Sequence, residues 1–67
     1  MDAIDHLRNA VSSLKLTIVA LRCDADVAYG AGDNRTGNIN CDGARRLEGD
    51  LHRLEVALGY LSKARGV

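Results

Sequence analysis

The chain has 67 residues, with 9 Lys or Arg against 9 Asp or Glu and a formal net charge of zero at pH 7. That length allows one domain, and the charge balance excludes any global attraction to nucleic acid or to an anionic membrane surface. There is no proline, and Tyr29 and Tyr60 are the only aromatic residues. With alanine and leucine abundant, the composition favours helix over sheet.

The most apolar stretch, Leu14 to Leu21, is interrupted by Lys15 and Thr17. It is too short and too polar to span a bilayer. The N-terminus opens with Asp2 and Asp5, without a basic flank or a small-residue cleavage site. No secretory signal is therefore expected, and a cytoplasmic location is. Cys23 and Cys41 are too few for a disulfide scaffold and are expected as reduced thiols.

The first predicted helix runs from about 2 to 29. Ile4, Leu7, Val11, Leu14, Ile18, Leu21, Ala25 and Ala28 alternate steps of three and four residues, which lays an apolar seam along one side. Asp2 and Asp5 sit where the helix dipole favours negative charge. A loop is predicted over about 30–40, where three glycines and three asparagines accumulate. The second helix is predicted over about 41–65, capped by Asn40 or Asp42 and stopped by Gly66. Its seam is Ala44, Leu47, Leu51, Leu54, Leu58 and Leu61. The expected fold is thus all-α: a single two-helix antiparallel hairpin with coiled-coil-like packing.

With a long loop, the seams match with Leu21 facing Leu51, Ile18 facing Leu54, Leu14 facing Leu58 and Val11 facing Leu61. The flanking charges agree with this alignment. Arg22 then lies near Glu48 and Lys15 near Glu55, each exposed pair worth about 0–1 kcal/mol.

Such a hairpin is marginal alone. Leu16, Val19, Ala20, Cys23 and Val27 form a second apolar stripe opposite the seam of the first helix, so this helix is expected at the centre of an assembly. A homodimer whose first helices meet through this stripe would make a four-helix bundle. The stripe also suits docking of a larger protein. Cys23 is expected there as a small buried apolar residue.

On the outer face of the second helix, Arg45, Arg46, His52 and Arg53 form a basic ridge that could contact nucleic-acid phosphates or an acidic protein. Val56 and Tyr60 are one turn apart beyond it, and Tyr60 is a candidate interface anchor. The Gly-Ala-Gly-Asp run at 30–33 lacks a P-loop ending, and Asn38 to Gly49 lacks the ligands of a calcium loop. His6 and His52 fall at different levels, distant from a cysteine, so no metal or cofactor is expected. No nucleophile–base pair or carboxylate pair stands in a catalytic setting.

The layout is similar to that of small dimeric helical-hairpin regulators, such as the plasmid RNA-binding hairpin proteins. The function expected is non-enzymatic: a dimeric inhibitor, anti-activator or adaptor that captures a larger protein. The alternatives are a nucleic-acid-binding regulator using the basic ridge, and a purely structural oligomerisation subunit.

Overall fold

The computed structural model describes residues 2–65. Two helices, α1 (Ala3–Gly30) and α2 (Asn34–Ala64), pack against each other as an antiparallel hairpin, with no strand among the described residues. The Cα trace measures 51 × 19 × 12 Å. Its thickness is about that of one helix, so the hairpin is a two-helix ribbon.

The seam of α1 faces α2. Ile4, Val11, Ile18, Ala25 and Ala28 are buried there, and Leu7, Leu14 and Leu21 are half-buried. On α2, Ala44 is buried and Leu47, Leu51, Leu54 and Leu58 are half-buried. Among the described residues no large side chain is completely enclosed. Two helices alone cannot surround a leucine, so the core stays open at its edges.

Asp2 caps α1, its carboxylate accepting the Asp5 N–H at 3.0 Å. Arg65, just past α2, donates to the other Asp2 oxygen at 3.0 Å. The two ends of the described chain are thereby tied together.

The connection between the helices is Ala31–Asp33, far shorter than the predicted loop over 30–40. The second helix starts at Asn34 instead of about 41, and its cap is Asp33, not Asn40 or Asp42. Gly32 adopts φ +80°, the left-handed geometry that ends a helix at little cost only with glycine. The Gly32 N–H then reaches Tyr29 O at 3.0 Å and the Asp33 N–H reaches Ala28 O at 2.8 Å, which is a Schellman closure. The Asp33 carboxylate accepts the Thr36 N–H at 3.1 Å and opens α2. Helix α2 ends at Ala64, near the predicted 65; the predicted stop at Gly66 lies outside the described residues.

A short turn also resets the register. Leu21 Cδ1 lies 3.6 Å from where a Cβ on Gly43 would stand. Leu21 is therefore level with Gly43 and Ala44, not with Leu51. Continuing from there, Ile18 is level with Leu47, Leu14 with Leu51, Val11 with Leu54, Leu7 with Leu58 and Ile4 with Leu61. The helices are offset from the expected alignment by one heptad, about 10 Å. The expected alignment left Ile4 and Leu7 without partners; Ile4 is instead 6% exposed.

Candidate docking surface

With one side of α1 turned to α2, the positions half a turn away must face outward. Leu16, Val19, Ala20, Cys23 and Val27 are all exposed, Leu16 at 72% and Val27 at 73%. Cys23, expected to be covered where the stripe meets a second chain, is exposed in the single hairpin. Leu16, Ala20, Cys23, Val27 and Gly30 step by four and three residues in alternation. They form a second heptad seam with no partner inside the hairpin.

Two carboxylates, Asp24 and Asp26, flank this seam. Six other acids are each within ion-pair distance of a cation: Asp2 with Arg65, Asp5 with Arg8, Asp42 with Arg46, Glu48 with Arg22, Asp50 with Arg53 and Glu55 with Lys15. Among the described residues Asp24 and Asp26 have no such cation. Each edge of the apolar stripe thus carries one acid without an ion-pair partner.

The outer face of α2 differs. Arg46 lies 4.0 Å from Asp42, and Arg53 donates to Asp50 at 2.7 Å. Two of the three arginines of the basic ridge thus carry a neighbouring acid, while Arg45 has none among the described residues. His52 is exposed beside them. Val56 is 59% exposed and Tyr60 72% exposed, so the Tyr60 ring stands clear of its own helix.

At the turn, Tyr29, Asn38, Ile39, Cys41, Asp42 and Arg45 border a shallow open cleft of about 330 Å³. The Tyr29 hydroxyl donates to Asn38 Oδ1 at 2.7 Å and lies 3.7 Å from Cys41 Sγ. The contact with Cys41, and then desolvation, hold the Tyr29 phenol above its ordinary pKa. Gly37, Asn38 and Ile39 carry none of the heptad signal, because they belong to the segment whose composition reads as loop, and Tyr29, at the end of the first predicted helix, lies off its seam. The signal available was Asp33 directly after Gly32, an acidic N-cap candidate following a helix-stopping glycine.

Among the described residues no group of three or more His, Cys, Asp or Glu side chains is placed to hold a metal ion. No described helix is long and apolar enough to cross a membrane. His6 and His52 do not border the cleft.

These features define an all-α antiparallel hairpin with an open core and an unpartnered apolar outer face on its first helix. No protein-family model, curated protein or solved structure matches the chain.

Proposed function

We propose that this chain is a small non-enzymatic protein-binding module that docks a helix of another polypeptide on the outer face of α1. The observation that carries this reading is the second heptad seam, with Leu16, Val19 and Val27 each more than half exposed. A heptad seam is the pattern by which one helix recognises another, and contiguous apolar exposure on a small domain marks an interaction surface. Inhibitor, anti-activator and adaptor are the roles that suit such a module.

Recognition of nucleic acid through Arg45, Arg46, His52 and Arg53 is the weaker reading. Asp42 and Asp50 sit within the ridge and offset Arg46 and Arg53. Phosphate binding needs cations in excess.

The test is native mass measurement of affinity-purified chain, wild type against a Leu16→Glu, Val27→Glu double variant. The expected result is an associated species that the double variant loses while its far-ultraviolet helicity is unchanged. The same associated species with both proteins would overturn the reading.

A further inference from the structure

Resting on the assignment of the α1 outer face as a docking surface, we propose that its occupant is the outer face of α2 from a second copy of this chain, so that hairpins join head to tail. The spacing of the two faces is the first argument. On α2, Arg46, Gly49, Arg53, Val56 and Tyr60 step by three and four residues in alternation, as the α1 seam does. Laid antiparallel, Leu16 meets Tyr60, Ala20 meets Val56, Cys23 meets Arg53, Val27 meets Gly49 and Gly30 meets Arg46. Large residues meet small ones at two of these levels, Val56 over Ala20 and Val27 over Gly49.

Gly49 provides the notch that Val27 requires. A Cβ there would meet only the Arg53 guanidinium, at 3.9–4.0 Å, so the backbone is open to an incoming side chain. Glycine in a helix interior costs about 1 kcal/mol relative to alanine, and close approach of a second helix gives that cost a purpose.

Charge is the second argument. The α1 face carries two acids without a cation, Asp24 and Asp26, and the α2 face carries Arg45, the ridge arginine without an acid among the described residues. Arg46 and Arg53 remain offset by Asp42 and Asp50, which leaves Arg45 as the free cation of the ridge among the described residues. The antiparallel alignment places Asp26 on the same flank as Arg45 and His52, and Asp24 on the flank of Asp50, whose charge Arg53 offsets at 2.7 Å. A symmetric contact between two copies of α1 does the opposite. With Leu16 opposite Val27 and Ala20 opposite Cys23, it turns Asp24 of the two copies toward each other. The two Asp24 carboxylates then face each other along one flank, and like charges across an interface suppress association.

A contact between two different faces does not close on itself in a dimer. It continues into a ring or an open filament, according to the angle between neighbours. Each added hairpin covers one apolar stripe and exposes another.

Complementary blocking tests this arrangement. Val27→Glu spoils the α1 face and Tyr60→Glu the α2 face, each in the full chain. Sedimentation velocity across a concentration series should show the wild type growing beyond a dimer and each variant remaining monomeric. An equimolar mixture of the two variants should give a heterodimer and nothing larger, because one intact face of each kind survives. Circular dichroism checks helicity, and Val27→Ser with Tyr60→Ser replaces the pair if glutamate unfolds either. A Tyr60 variant that still dimerises would overturn the proposal in favour of a symmetric α1 contact, leaving the docking face itself standing. A wild type that stays monomeric throughout would overturn it in favour of a foreign helix. A Val27 variant that assembles like the wild type would overturn both the proposal and the docking face on which it rests.

Discussion

The Tyr29 ring lies directly over Gly37, so close that a Cβ on Gly37 would fall 2.6 Å from Cδ1 and 2.7 Å from Cζ. The glycine lets the ring lie flat across the start of α2, from where its hydroxyl reaches Asn38. A glycine in a helix ordinarily gains about 1 kcal/mol on mutation to alanine. At Gly37 the ring must first be displaced, and overpacking of this kind costs about 1–3 kcal/mol. Gly37→Ala should therefore be destabilising in urea unfolding. In a Tyr29→Ala background the same change should turn stabilising by about 1 kcal/mol, and Gly59→Ala, with open space around it, should stabilise by a similar amount in the wild type. A Gly37→Ala that stabilises the wild type would show that Tyr29 does not occupy this position.

Asp33 serves both helices, its N–H closing α1 and its carboxylate opening α2. The side-chain and backbone hydrogen bonds of Thr36 hold the Asp33 carboxyl below its ordinary value of 3.8. Asp2 is held low by the Asp5 N–H and then by Arg65. Both folded-state values are depressed, so both carboxylates contribute stability that is complete above the unfolded value of about 4. That contribution is lost as the pH falls through the folded values. Urea midpoints should be level from neutral pH to about pH 5 and then decline. Asp33→Asn, which keeps a capping oxygen without the charge, should flatten part of the decline. An acid limb identical to the wild type would remove Asp33 from this role.

The register makes a separate prediction at Ile4. With Leu21 level with Ala44, Ile4 faces Leu61 and is buried; one heptad away it would face nothing on α2. Truncation of a buried isoleucine costs about 2–5 kcal/mol, and fraying at a helix start places Ile4→Ala at about 2 kcal/mol. A neutral Ile4→Ala would return the helices to the other alignment.

The charge rows show why the heptads left that choice open. Arg22–Glu48 and Lys15–Glu55 form as the sequence predicts. Helical side chains lean toward their own N-termini, so in an antiparallel pair they reach toward each other across more than a turn. The same two ion pairs are compatible with alignments one heptad apart, and only the turn decides. Its length was hidden because Asn34, Gly37, Asn38 and Asn40 are poor helix formers by composition. They are held helical by the Asp33 cap and by Tyr29. The α1 stripe, by contrast, was legible from the start, since its apolar residues repeat on the face that the seam leaves outward. Which charges beside it lack a partner was not legible, because that depends on which acids the register brings to the arginines.

Under the proposed head-to-tail assembly, stability depends on protein concentration. A hairpin one helix thick leaves its leucine layers half-covered, and any association that covers Leu16 and Val27 removes apolar area from water in the folded state only. Binding to the folded state raises its stability by mass action. The thermal midpoint of the wild type should therefore rise with protein concentration, by several degrees over a hundredfold range. The Val27→Glu variant should give one midpoint at all concentrations, lower than that of the concentrated wild type. Calorimetry of both proteins across the series makes the comparison. A wild-type midpoint independent of concentration, equal to that of Val27→Glu, would mean that the hairpin is stable without any second chain and that its outer seam waits for a different protein.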